Sequence, residues 1–280
     1  MTLWTDTIYK FHNVNNTSFP LIIAPVKFYR QTSKTIKGYK FDYFFCSKDT
    51  SCQRMIIDES IGAFFYCISN IGKEEIKQKT LIECPGISFI QSHRGFITAG
   101  SVWINNYRLP EYKFWASHEM IHQWIGSGFE IPLKTKGQDF TCESFTEFIR
   151  LIYIKDMFGN DSLNHELRER LFLYDNYIKD TKYDASINSY IYKGEEIDLN
   201  YNNAPLFLYY LFVKSDEKKI RGMIKDIYSK YKNQYFTYTD FHNKLSENVN
   251  NKNLMGRFNY FHDNKGIEKD VRDLIPQKKK

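Results

Sequence analysis

Trp115-Ala116-Ser117-His118-Glu119-Met120-Ile121-His122-Gln123-Trp124-Ile125-Gly126 is the stretch on which the reading of this chain turns. Its apolar residues (Trp115, Met120, Ile121, Trp124, Ile125) mark one side of a helix, and Gly126-Ser127-Gly128 ends it. His118 and His122 are four apart, so on a helix their imidazoles share a face one turn apart. Two imidazoles so placed can bind one Zn²⁺. Glu119 is rotated about 100° from His118. It sits beside the metal position without ligating it, where a carboxylate can take a proton from a water activated by zinc. A catalytic zinc takes three protein ligands, so the third must come from elsewhere in the chain.

Outward from this helix the pattern changes character. Upstream the chain reads as short strands broken by turns, at 20–25, 40–45, 80–90 and 95–105, with one helix at 56–71. Pro110 suits the first turn of a helix running to Ile125. Downstream, helical spacing covers 139–157, 163–179, 204–214, 218–230 and 240–247. Strands first and helices afterwards make an α+β protein. The 23 Phe and 21 Tyr suit a large core.

Composition excludes several function classes. The formal charge of +6 comes partly from Lys278-Lys279-Lys280 and forms no basic stripe with a nucleic-acid-binding signature, so nucleic acid is not expected as a partner. Five cysteines (Cys46, Cys52, Cys67, Cys84, Cys142) without a Cys-x-x-Cys pair argue against a disulfide framework or a thiolate zinc site. Reduced thiols, a first stretch unlike a signal peptide and no apolar run of membrane-spanning length give a cytoplasmic expectation.

The string His118-Glu119-Met120-Ile121-His122-Gln123-Trp124-Ile125-Gly126 closely resembles the His-Glu-x-x-His-Gln-Trp-Phe-Gly of the aminopeptidase N family of zinc peptidases. These are gluzincins, in which a glutamate on the next helix is the third ligand. The resemblance implies that Glu143, in Cys142-Glu143-Ser144-Phe145-Thr146-Glu147-Phe148, holds zinc with His118 and His122. The spacing here is two residues longer than in the family, and the 134–137 loop accommodates them. Glu147, one turn on, competes for the ligand role and otherwise reads as a helix-surface carboxylate. Asp139 stands near a family aspartate and is a candidate support for a ligating imidazole. Tyr201-Asn202-Asn203-Ala204 resembles the family's Tyr-x-Lys-Gly helix start, which makes Tyr201 the candidate oxyanion donor. Tyr209 and Tyr210 are the fallback.

The resemblance runs from about Phe19 to Ile267 and implies a thermolysin-like zincin catalytic domain. It comprises a strand-rich lobe at 1–109, zinc-binding helices at 110–158 and a helical lobe at 159–280. The family's N-terminal β-domain has no counterpart in the sequence. Nor does the family's Gly-x-Met-Glu-Asn strand, whose glutamate binds the substrate's free amine. The stretch aligned with it, Arg94-Gly95-Phe96-Ile97-Thr98-Ala99-Gly100, carries no carboxylate. The expected activity is zinc-dependent hydrolysis of peptide or protein substrates, with the substrate lying along 95–105. The alternatives are an endopeptidase-like amidohydrolase without an amine anchor and a non-catalytic peptide-binding homologue.

Overall fold

A computed structural model describes residues 26–109, 112–186 and 197–276. The strand expected at 20–25, Pro110 and the terminal lysines lie outside the described residues. Five strands come first: β1 (Arg30–Ile36), β2 (Tyr39–Phe45), β3 (Gln78–Cys84), β4 (Ile90–His93) and β5 (Phe96–Gly100). They form one sheet in the order β1-β2-β3-β5-β4, with β2, β3 and β5 parallel and the two outer strands antiparallel to their neighbours. β1 and β2 join through Lys37-Gly38, both at positive φ (49° and 77°), the turn whose twist matches that of paired strands.

Helix α1 (Thr50–Asn70) makes the crossover from β2 to β3, as a parallel pair requires. Asp49 caps it by accepting the amides of Ser51 and Cys52. Phe64 of α1 meets Tyr39 and Phe41 of the sheet on one side (ring centroids 4.8 and 5.1 Å) and Trp124 on the other (5.3 Å). α1 thus packs against both the sheet and the segment that follows the histidine helix.

The expected strand at 95–105 stops at Gly100, and Ser101–Asn105 is a short helix, α2. At Gly100 the Ile87 carbonyl approaches so closely that a Cβ would stand 2.2 Å from its oxygen. The neighbouring Ser101 hydroxyl turns to Glu83 Oε1 at 2.5 Å. The expected strand at 80–90 is interrupted after Cys84, and Ile90 begins a separate strand.

α3 (Trp115–Ile121) carries His118 and ends at His122, its C-cap, short of the expected end at Ile125. A π-helical turn, Phe140–Ser144, leads into α4 (Phe145–Thr181), whose two halves meet at the non-helical Gly159, where the sequence predicts a break. α5 (Ile197–Lys214), α6 (Glu217–Tyr231), α7 (Tyr238–Asn248), α8 (Lys252–Asp263) and α9 (Lys269–Asp273) follow. Aromatic pairs pack this half, among them Phe148–Phe212 at 5.9 Å and Phe207–Phe261 at 4.3 Å. α5 begins seven residues before the predicted start at 204 and carries Pro205 inside it. Proline favours a helix start, but packing against α4 extends the helix upstream. There Ser144 Oγ donates to the Asn200 carbonyl at 2.8 Å. No helix among the described residues is long and apolar enough to cross a membrane.

Candidate metal centre

α3 buries its apolar side and both histidines, with His118 and His122 at 5% and 6% exposure. Its first turn is held from outside: Glu59 of α1 accepts the Ser117 amide at 2.8 Å and the Tyr107 hydroxyl. A carboxylate there meets an unsatisfied amide at the positive end of the helix dipole. The other end is set by Gly126 at φ 84°, after which Ser127 N donates back to the His122 carbonyl at 3.1 Å. This early stop turns the Ile125 carbonyl toward His122 Nδ1, 3.0 Å away. A carbonyl only accepts, so Nδ1 carries the proton and Nε2 keeps its lone pair for the site.

Glu143 enters from the π-helical turn. Its Oε2 lies 3.2 Å from His122 Nε2 and 3.3 Å from His118 Nε2, and the two Nε2 atoms are 2.8 Å apart. Three candidate ligand atoms therefore converge on one point. Ligands bound at about 2.0–2.1 Å around a tetrahedral zinc stand about 3.3 Å apart. Two imidazole nitrogens and a carboxylate oxygen in this arrangement fit a zinc ion. Burial works against the charge of Glu143, but the two imidazoles outweigh it and hold the carboxyl well below its usual range. Burial likewise works against the charge of His118, and Glu147 and Glu143 outweigh it, raising its pKa to about 10.

Glu119 is 7% exposed on the same helix, and burial pushes its carboxyl up despite the neighbouring imidazoles. Tyr201, on α5, reaches the same place: its hydroxyl donates to Glu143 Oε2 at 2.6 Å, and its ring lies 5.5 Å from that of His118. All five candidate residues are thus gathered around one point. Tyr209 and Tyr210 are buried in the helical half, and Tyr210 bonds Arg257.

Glu147 is not a surface carboxylate. It is 4% exposed, with Oε1 2.6 Å from His118 Nδ1 in a contact that lacks hydrogen-bond alignment. Its other oxygen meets Arg150 Nε at 2.9 Å and also Arg170, and Arg150 reaches Glu166 at 2.9 Å. Two guanidiniums and two carboxylates form a buried, charge-balanced cluster on α4. The Nδ1 atoms of the two imidazoles thus face the Ile125 carbonyl, the Thr146 hydroxyl and the Glu147 carboxylate. Glu147/Arg150 and Glu166/Arg170 stand three and four apart, a spacing that also describes exposed helix pairs. Their burial is therefore invisible in the sequence.

Gln123 is the other residue that motif reading passes over, although it lies inside the quoted string. Fully buried, its Oε1 accepts Lys79 Nζ (3.2 Å) and Gly95 N (2.5 Å), and its Nε2 donates to Ser92 Oγ (2.8 Å) and the His93 carbonyl (2.9 Å). Ser92 Oγ donates in turn to the Glu119 carbonyl at 2.9 Å. β4 is thereby fastened beside the histidine helix. The strand expected at 95–105 offers no free edge: β5 is paired on both sides by β3 and β4, whereas β4 ends the sheet and keeps one edge unpaired within it. Its residues, Ile90-Gln91-Ser92-His93, include no carboxylate.

No family model matches this sequence, and no curated protein matches it. Solved structures do. An M1 zinc metallopeptidase mutant from Deinococcus radiodurans bound to a tyrosyl-seryl-alanine substrate is similar at a TM-score of 0.60 and 12% identity, over 86% of this chain and 52% of that one. The fold is distantly M1-like. An M1 zinc metallopeptidase from Deinococcus radiodurans gives 0.58 and 11% over the same shares, 86% and 52%. A two-domain M1 zinc metallopeptidase mutant bound to L-arginine gives 0.58 and 10%, again over 86% and 52%. The chain spans about half the length of the M1-like structures it matches.

Proposed function

We propose that this chain is a zinc-dependent hydrolase of peptide bonds. The observation that carries the reading is the convergence of His118 Nε2, His122 Nε2 and Glu143 Oε2 within 3.3 Å of one another, with the Glu119 carboxyl buried on the same helix. His118, His122 and Glu143 would hold the ion. Zinc, when bound, supplies a Lewis acid that makes water acidic enough to attack at neutral pH and polarises the scissile carbonyl. Glu119 accepts the proton of the attacking water and passes it to the leaving amine. A carboxyl pushed up by burial suits both halves of that transfer. Tyr201 gives its hydroxyl proton bond to the developing oxyanion instead of to Glu143. One such donor contributes about 2.7–4 kcal/mol in an oxyanion hole. The unpaired edge of β4 would receive an extended substrate backbone, as sheet edges do.

The test is Glu119→Gln, which keeps the ligands and removes the base. Zinc content should stay near one per chain while turnover of a peptide falls to background. A Glu119→Gln protein that still hydrolyses peptide would sink the mechanism.

The sequence of β4 favours a second reading of specificity. With no carboxylate along Ile90–His93, nothing there selects a free α-amine. Cleavage within peptides is then expected, and N-acetylated peptides should be hydrolysed as well as their free-amine counterparts. A strict need for the free amine would restore the aminopeptidase reading.

A further inference from the structure

Tyr201 stands four residues before Pro205 on α5. In an α-helix the carbonyl of residue i receives the N–H of residue i+4. Proline has no N–H, so the Tyr201 carbonyl is deprived of its ordinary donor by the sequence itself. A buried carbonyl needs a replacement. Arg170 of α4 supplies it, donating through Nη1 to the Tyr201 carbonyl. The other terminal nitrogen of the same guanidinium contacts Glu147 Oε2. The second oxygen of Glu147 lies 2.6 Å from His118 Nδ1.

One buried residue, 8% exposed, therefore bridges the backbone that carries the phenol and the carboxylate beneath the first histidine. The geometry points to Arg170 as a positioning residue that sets the Tyr201 phenol and the His118 imidazole together, a role that rests on the zinc-hydrolase reading above. The planar fork of arginine can serve two acceptors at once in fixed directions, whereas a lysine ammonium on a flexible stem cannot hold both. Arg150 already pairs Glu147 and Glu166, so charge balance alone does not require the bond to Tyr201. That bond matches the gap left by Pro205.

Two separable consequences follow. Through Glu147, Arg170 acts on zinc affinity. Through the Tyr201 carbonyl, it acts on turnover of the zinc-loaded protein. The experiment compares wild type, Arg170→Lys, Pro205→Ala and the double variant. Zinc dissociation constants come from competition with a chromophoric chelator. Values of kcat and KM at saturating zinc come from an internally quenched peptide, and circular dichroism melts establish that each variant is folded.

Arg170→Lys is expected to weaken zinc about tenfold, as loss of a group supporting a metal ligand does. It should also lower kcat by about tenfold or more with KM little changed, as displacement of a catalytic group does. Pro205→Ala returns a helical N–H to the Tyr201 carbonyl. In the double variant kcat should therefore recover to that of Pro205→Ala alone, while zinc binding stays weakened.

Should the single variant fail to fold, the double variant, whose helix has its own donor, is read against Pro205→Ala. Equal kcat with weaker zinc binding supports the proposal, and a kcat still depressed overturns it. A folded Arg170→Lys with both constants within about twofold of a working wild type overturns the proposal alone. A wild type that binds no zinc and cleaves no peptide overturns the hydrolase reading, and the proposal with it.

Discussion

His118 shows how strongly a neighbour's charge can act where water is scarce. Burial disfavours its protonated form, yet Glu147 and Glu143 raise its pKa to about 10. At pH 7 the metal-free imidazole is then protonated, and a metal must displace that proton. Zinc binding should release about one proton at pH 7 and tighten as pH rises toward 10. Titration calorimetry in buffers of different ionisation enthalpy measures the released proton directly, and a buffer-independent heat would contradict the assignment. Glu147 itself balances two buried guanidiniums together with Glu166. Glu147→Ala should cost about 3–5 kcal/mol of stability, because it strands a buried positive charge. It should also weaken zinc by about 10–100-fold through His118. Urea unfolding and chelator competition read the two effects separately.

Elements are held in place around the site by a few buried polar groups. Lys79 on β3 is 3% exposed and reaches Gln123 at the end of the histidine helix. Burial lowers its pKa to about 8 against the pull of Glu74. A lysine whose pKa is lowered in the folded state binds fewer protons there than in the unfolded chain between pH 8 and 10.5. Stability must therefore rise with pH across that window. Wild type should gain about 3 kcal/mol relative to Lys79→Met between pH 8 and 10.5 in urea unfolding. A constant difference would show that Lys79 is not desolvated. The loop between the histidine helix and the π-helical turn is fixed differently. Gly137 has φ 69°, and a Cβ there would stand 2.6 Å from the Tyr238 ring. Gly137→Ala is expected to cost about 1–3 kcal/mol. A melting temperature equal to wild type would mean that the loop and α7 shift freely.

For the whole molecule, the candidate ligands come from two separate segments, α3 and the turn before α4, and Tyr201 comes from a third. A metal that binds only the assembled set stabilises the folded chain by about 2.7 kcal/mol at a hundredfold excess over its dissociation constant. For a chain of this size that is roughly 5–10 °C. Chelation should lower the melting temperature by that amount and zinc should restore it. Glu143→Ala should melt at the chelated value with or without zinc, and a zinc shift that survives in it would move the third ligand elsewhere. The chain spans about half the length of the M1-like structures it matches, and these three segments lie within that half.

Much of this was legible in the amino-acid order, and the division has a physical cause. His118, Glu119 and His122 lie within one turn, where φ and ψ alone decide which side chains share a face. The order of strands then helices likewise follows from period-two and period-3.6 patterns in the chain. The stop at Gly126 is equally local, although it does not reveal what the freed carbonyl meets. The carbonyl that Pro205 leaves without a donor is not local, because the sequence pattern starts that helix at 204 and the folded chain carries it back past Tyr201. Which strand ends the sheet is a matter of long-range pairing, so β4 rather than β5 emerged only in the folded chain. The same holds for Glu147, Arg150, Glu166 and Arg170. Their spacing fits a solvated helix face as well as a buried cluster, and only the packing of α5 against α4 removes the water that would make them ordinary.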